Sequence, residues 1–215
     1  SANALDHEAD VEIEPSPRGY FRIAPDRRAI EEAVRILASA SSPVVIVSDR
    51  VAESGATAEA VRVAELLGAG VYASRYSAVN FPMSHPHFKG TVRLGFPESR
   101  ELLSSADVVL MAGKLATGYY MFSKPTLRFF GPETRLIHLD SDPRDVGKTQ
   151  PTDVGIIADP RVALDELADA LETGMSGSDT EAAKGRSVAL AAEKEASRAA
   201  WRRRVKERWD TRPMS

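Results

Sequence analysis

Three stretches of this chain have residue types and spacing that chemistry could use. The turn Val47-Ser-Asp-Arg-Val-Ala-Glu-Ser-Gly55 follows an apolar run and precedes a helical pattern. A Gly-x-Gly-x-x-Gly loop at that place brings backbone N–H groups up to a pyrophosphate. Here only Gly55 is glycine; Asp49 would repel a phosphate and Arg50 would attract one. Asp140 ends another apolar run, where an acid can hydrogen-bond ribose hydroxyls. Its neighbour Asp142 precedes Pro143, the pattern of a helix cap. His85-Pro-His87 has the look of a metal pair, but no Cys accompanies it and the nearest acid is Glu98, so the metal signal is weak and His85 reads as a loop hydrogen-bonding group. His138, inside an apolar run, reads as packed. Tyr119-Tyr-Met-Phe122 and Phe129-Phe130 read as cover for a sheet edge or a subunit contact. Arg202-Arg-Arg-Val-Lys206, flanked by Trp201 and Trp209, reads as a solvated or interdomain helix, because Glu207 and Asp210 dilute its charge. There is no Gly-x-Ser-x-Gly, no P-loop lysine motif and no nucleophile–base pair.

The elements that must position these residues follow from periodicity. Over Pro25–Ala38, Ile30, Val34 and Leu37 share one helical face. Val44–Val47 is a continuous β-branched run, as for a strand covered on both faces. Ala56–Leu67 is helical and is stopped by Gly68. Strands are expected at Gly70–Ala73, Ala106–Gly113, Arg135–Leu139 and Val154–Ile157, with a short helix at Glu98–Ser105 and irregular chain over Ser74–Glu98 and Lys114–Glu133. Asp159-Pro160 opens a helix over Arg161–Leu171. This alternation predicts an α/β fold, a Rossmann-like parallel sheet flanked by helices. Glu172–Asp179 reads as a Gly/Ser-rich linker. Thr180–Trp209 reads as a charged helix whose thin apolar face (Val188, Ala192, Ala199, Val205, Trp209) needs a partner surface. With residues 1–24 as a polar linker and possible tag remnant, the organisation is a domain over 25–172 and a linker plus helix over 173–215.

The chain has 215 residues, 43% hydrophobic and 27% charged, and a net charge of −3. That balance argues against bulk nucleic-acid binding. Residues 176–215 nevertheless carry 10 Lys/Arg against 6 Asp/Glu. The absence of cysteine excludes disulfides and thiolate metal sites. No apolar run reaches the roughly 20 residues a membrane span needs, and no signal pattern opens the chain, so the expected location is cytoplasmic.

Five segments in this order, Pro43-Val-Val-Ile-Val, Phe81-Pro-Met-Ser-His-Pro-His-Phe-Lys-Gly90, Ala106-Asp-Val-Val-Leu-Met-Ala-Gly113, Leu136-Ile-His-Leu-Asp-Ser-Asp-Pro143 and Val154-Gly-Ile-Ile-Ala-Asp159, resemble the central domain of thiamine-diphosphate-dependent enzymes. That group includes acetolactate synthase, pyruvate oxidase and benzoylformate decarboxylase. The resemblance implies a middle domain. The cofactor and Mg²⁺ would be held by the first and third domains, the third through a Gly-Asp-Gly…Asn segment that this chain lacks. It also implies that the charged helix leads into the third domain and that the parent is a homo-oligomer. Flavin-containing members bind the nucleotide part of FAD in this domain. At the matching places this chain has Ser48, Asp49 and Arg50 for glycines, Gly90-Thr-Val-Arg-Leu-Gly-Phe96 for a glycine-rich loop, and Gly113-Lys-Leu-Ala-Thr-Gly-Tyr119 for a loop bearing arginine and acids. The candidates for a nucleotide pocket are Arg50, Gly90, Gly113, Lys114 and Asp140, with no catalytic or metal-binding residue.

The reading is the mainly structural central domain of a thiamine-diphosphate-dependent 2-oxo acid decarboxylase or carboligase. It is closer to the flavin-free benzoylformate decarboxylase branch and is expected to lack FAD; this piece alone would have no activity. The alternatives are an acetolactate synthase-like enzyme whose central domain binds FAD or ADP, and a free-standing binding or assembly module. The partners are the chain's own flanking cofactor-binding domains, with no nucleic acid and no membrane.

Overall fold

The computed structural model describes residues 10, 12, 22–74, 79–94, 96–114 and 129–209. The chain forms β1 (Pro43–Val47), β2 (Gly70–Ser74), β3 (Phe88–Val92), β4 (Val108–Ala112), β5 (Arg135–Asp140) and β6 (Val154–Ile157). The helices are α1 (Arg27–Ala38), α2 (Asp49–Glu53), α3 (Thr57–Leu67), α4 (Pro97–Leu102), α5 (Pro160–Gly174) and α6 (Gly177–Arg208). All six strands pair in parallel in the order β3-β2-β1-β4-β5-β6.

Strand side chains alternate between faces, and the core divides accordingly. Val45, Val47, Val71, Ala73, Leu110, Ala112, Ile137 and Leu139 face α1, α3 and α5 in one large buried cluster. Ile46, Tyr72, Val109, Met111 and Leu136 face the opposite way, onto Leu94, Leu103, Phe129 and Phe130. The two phenylalanines are therefore core residues, packed edge to face at 6.4 Å; Tyr119–Phe122 lies outside the described residues. Polar pins fix where the strands begin. Asp107 accepts the backbone N–H groups of Ser41 (2.6 Å) and Ser42 (2.9 Å), which ties the start of β1 to the start of β4.

Local signals place the helix ends. Asp26 caps α1 by accepting Arg28 N–H, and Asp159 caps α5 by accepting the N–H groups of Arg161 and Val162. Gly68 ends α3 at φ +58°.

Four elements differ from the sequence reading. β3 lies within the stretch expected to be irregular; its exposed Lys89 and Thr91 hide the alternation of an edge strand. α2 occupies the turn after β1. No helix follows Asp142-Pro143, which form a turn in which Asp142 accepts Arg144 N–H at 3.0 Å. The expected linker is nearly all helix, because α5 runs to Gly174 and Ser176 with Asp179 forms a capping box for α6.

The long helix also packs differently from expectation. Val188 is 71% exposed, and the face turned to the body carries Ala183, Arg186, Leu190 and Lys194. Ala183 closes on Gly68, where a side chain would overlap the Ala183 carbonyl. Three cations then grip backbone carbonyls: Arg186 on Leu67 (2.7 Å), Lys194 on Phe88 (2.8 Å) and Arg198 on Ser84 (2.7 Å). The helix thus uses this domain itself as its partner surface through four turns. No helix among the described residues is long and apolar enough to cross a membrane.

Candidate functional site: the crevice at the ends of β1, β4 and β5

In an open parallel sheet the strand order reverses at one point, and ligands bind beyond the carboxyl ends of the strands there. In this sheet the reversal falls between β1 and β4. β1 hands over to Ser48, whose N–H donates to Ala112 O at 3.1 Å. β4 hands over to Gly113, whose N–H donates to Leu139 O at 2.7 Å. β5 ends at Asp140, which is fully buried.

The side chain of Arg50 crosses this point. Its Nη1 donates to Glu53 at 3.0 Å, and its Nε lies 3.4 Å from Asp140 Oδ1. Glu53 first, and then the Asp140 charge, raise the Arg50 pKa above its ordinary value and hold the guanidinium charged. Gly113, at φ +97°, lets β4 close beneath it. A Cβ there would overlap Ser48 Oγ and sit 2.8 Å from Arg50 Cβ. Asp140 Oδ1 also accepts Asp142 N–H at 2.8 Å. His138 Nε2 donates to Gly113 O at 3.1 Å, and burial pushes its pKa below the usual imidazole value. Three buried polar atoms here have no hydrogen-bond partner among the described residues: Ser48 Oγ, Arg50 Nε and Asp140 Oδ2. A hollow of about 210 Å³ opens beside Arg50, lined also by Glu53, Ser141, Asp159 and Pro160.

The fold therefore brings Arg50, Gly113 and Asp140 together and leaves Lys114 at the rim, 3.9 Å from Asp145. Gly90 stands apart on edge strand β3, opposite Tyr72. Ser48, Glu53 and His138 complete the crevice. Their places at strand ends and in the following turn were visible in the sequence; their contacts across strands were not.

The electrostatics oppose a diphosphate. Arg50 is engaged by Glu53 and Asp140, Arg144 by Asp142 (2.7 Å), and Arg22 lies 3.7 Å from Asp159. Arg144, through its side chain and backbone N–H, holds the Asp142 carboxyl well below the usual range. The N-terminus of α5, an anion site in many folds, is filled by Asp159. What the crevice offers is acceptors, chiefly the free Asp140 oxygen, which suit a neutral donor such as a sugar hydroxyl better than a phosphate.

His85 and His87 do not form a metal site. His85 Nε2 lies 3.2 Å from Glu65, its Nδ1 accepts His87 N–H, and His87 Nδ1 donates to Ala69 O. No cluster of three His, Asp or Glu residues that could hold a metal ion occurs among the described residues.

A six-stranded parallel sheet reversing at β1/β4, with paired acids and a guanidinium at the reversal, defines a Rossmann-like α/β domain. Residues 30–167 match the family model described as the central domain of thiamine pyrophosphate enzymes, and the chain belongs to that family. It is 30% identical over 185 residues to a sulfoacetaldehyde acetyltransferase of Castellaniella defragrans, covering 85% of this chain and 30% of that protein. It is 31% identical over 146 residues to an acetolactate synthase of Mycobacterium bovis, covering 66% of this chain and 23% of that one. The fold is shared with benzoylformate decarboxylase from Polynucleobacter necessarius (TM-score 0.65, 22% identity, 75% of this chain and 30% of that one). It is also shared with a thiamine diphosphate-dependent 4-hydroxybenzoylformate decarboxylase from Rhodococcus jostii (TM-score 0.62, 24% identity, 79% and 30%). The chain thus spans less than a third of the length of these relatives.

Proposed function

We propose that this chain is the central, mainly structural domain of a thiamine-diphosphate-dependent 2-oxo acid decarboxylase or carboligase, and that it works without FAD. The supporting observation is the state of the strand-reversal point: Arg50 fills it, and among the described residues Arg22, Arg50 and Arg144 around it each face a carboxylate. Thiamine diphosphate supplies an electron sink that lets a 2-oxo acid lose CO₂. The described residues offer no set of groups fit to hold that cofactor or its Mg²⁺, so other parts of the parent would bind them and no step of the reaction is assigned here. The domain's part is to space those cofactor-binding bodies and to contribute to an oligomeric, cytoplasmic enzyme. The test is the visible spectrum and the 2-oxo acid decarboxylase or carboligase activity of the purified parent. Activity without flavin absorbance is expected; stoichiometric bound flavin would defeat the flavin-free reading.

The unpartnered Asp140 oxygen and Ser48 hydroxyl favour a second reading, in which the crevice binds ADP or FAD through its sugar. Calorimetry with ADP and FAD separates the two. Micromolar binding that is lost in Asp140→Asn would establish the second reading, and no heat of binding is expected under the first.

A further inference from the structure

Residues 84–88 form a turn that carries His85 and His87 and is held from two sides. On one side is the corner between α3 and β2. His85 Nε2 donates to Glu65 at 3.2 Å, His87 Nδ1 donates to Ala69 O at 3.0 Å, and the His87 carbonyl accepts Val71 N–H at 2.8 Å. On the other side is α6, which binds the turn at its two ends. Arg198 donates to Ser84 O at 2.7 Å and Lys194 to Phe88 O at 2.8 Å. The two grips of α6 therefore bracket the two histidines.

The hydrogen bonds of the turn suit neutral rings. His85 Nδ1 accepts the His87 N–H, which takes a lone pair that an imidazolium lacks. His87 is 4% exposed and uses its Nδ1 proton on Ala69 O, so a second proton would enter at Nε2 with the ring still buried. Each packed element brings its charged groups. α3 supplies Glu65, the turn supplies His85 with its ring centroid 5.1 Å from that of His87, and α6 supplies Lys194 and Arg198, both spent on carbonyls of the turn. Burial, with the neighbouring His85, outweighs Glu65 and the Ala64 and Ala69 carbonyls and holds the His87 pKa below its ordinary value. A protonated His87 is therefore favoured only with its ring in water. The ring reaches water when the turn lifts, because His85 holds the His87 N–H and α6 holds the carbonyls on either side.

We propose that this turn is an acid-released latch on α6: taking a proton at His87 Nε2 lifts residues 84–88 from the corner of α3 and β2, and the Lys194 and Arg198 grips are lost with it. Ala183 against Gly68 and Arg186 on Leu67 lie outside the turn, so the first turns of α6 stay anchored while the helix from Lys194 onward is freed. The lifted turn binds the proton with ordinary imidazole affinity and the closed one more weakly. Closure is thus fully favoured above pH 6.5 and loses ground as the pH falls below it. The latch shares no residue with the strand-reversal crevice and does not depend on the function proposed for the parent.

Amide exchange of the 215-residue chain, expressed as protection factors, reads the opening. One proton taken up on opening raises the opening constant by up to about tenfold between about pH 7.5 and about pH 5.5. A freed helix end frays, so protection should fall several-fold at His87, at Phe88 and along α6 beyond Lys194, while the first turns of α6 keep theirs. His87→Gln, whose amide can still donate to Ala69 O, should abolish the fall. Opening and protonation are reciprocal. The double variant Lys194→Met/Arg198→Met removes both grips, and the His87 ring, followed by its NMR signals, should then titrate closer to 6.5 than in the natural chain. That titration decides the matter should His87→Gln fail to fold. The proposal is overturned by protection that does not fall, by a fall of the same size in the first turns of α6, by a fall that persists in His87→Gln, or by a His87 titration that the double variant leaves in place.

Discussion

Replacing Gly113 by alanine tests how the strand-reversal point is built. The residue sits at φ +97°, where an L side chain is strained by about 1–2 kcal/mol. The added methyl would also overlap Ser48 Oγ and lie 2.8 Å from Arg50 Cβ. Ser48 can rotate its hydroxyl aside. Arg50 can yield only by shifting α2, which pulls its guanidinium from Asp140 and leaves that buried carboxylate without its cation. Such overpacking costs about 1–3 kcal/mol. The two effects together predict a loss of about 2–5 kcal/mol. For a chain of this size that lowers the melting temperature by roughly 5–15 °C. Gly55 is the control: φ is +70°, but nothing lies within 4 Å of its added Cβ. Gly55→Ala should therefore cost only the backbone term, about 1–2 kcal/mol. Urea and thermal unfolding of both variants would measure the difference. If Gly113→Ala is no less stable than Gly55→Ala, the close approach of Ser48 and Arg50 to β4 is not as described. Adding Ser48→Ala to Gly113→Ala should recover part of the loss.

Other expectations follow from contacts already given. Asp107→Ala frees two backbone donors at the start of β1 and should cost about 2 kcal/mol in urea unfolding; a loss near zero would show that water replaces the carboxylate. Arg186→Met removes the grip on Leu67, and amide exchange should quicken along the first turns of α6 while the sheet stays protected. Uniform exchange in both forms would contradict it. His87 and His138 have folded pKa values lowered by burial from the ordinary 6.5. The unfolded chain takes up protons first as the pH falls through 6.5. Stability from these groups is therefore full above that value and declines below it until the folded imidazoles protonate. Unfolding free energies measured downward from neutral pH should show this decline, and the double variant His87→Gln/His138→Gln should flatten it; an unchanged slope would refute the assignment.

The buried strands were legible because Val44–Val47 and Val108–Ala112 are continuous apolar runs, and parallel sheets bury both faces of a strand. β3 was not, because its polar Lys89 and Thr91 face outward at an edge. α6 was legible as a helix but not in its orientation. Its contact face is built largely from long cations, and a charged side chain that ends on a carbonyl looks, in a sequence, the same as one that ends in water. At the site, the sequence showed Ser48, Asp49 and Arg50 after β1 where a glycine loop would stand. The contact across strands was not visible, since Arg50 and Asp140 lie far apart in the chain and meet only because β5 sits one strand beyond β4. Gly90 and Gly113 looked equivalent as motif glycines; strand order puts one at the crevice and the other at the sheet edge.

The grip of α6 on the domain has a mechanical side. Arg186, Lys194 and Arg198 bind the helix to the body, and from Arg198 to Arg208 it runs on for about 15 Å at 1.5 Å per residue. A long rigid helix acts as a lever. With Arg186 as pivot, the arm to Arg208 is about 33 Å long, so a turn of about 5° at the pivot swings the tip by roughly 3 Å. Small readjustments where Ser84 and Phe88 meet the arm would thus reappear, enlarged, at Trp209.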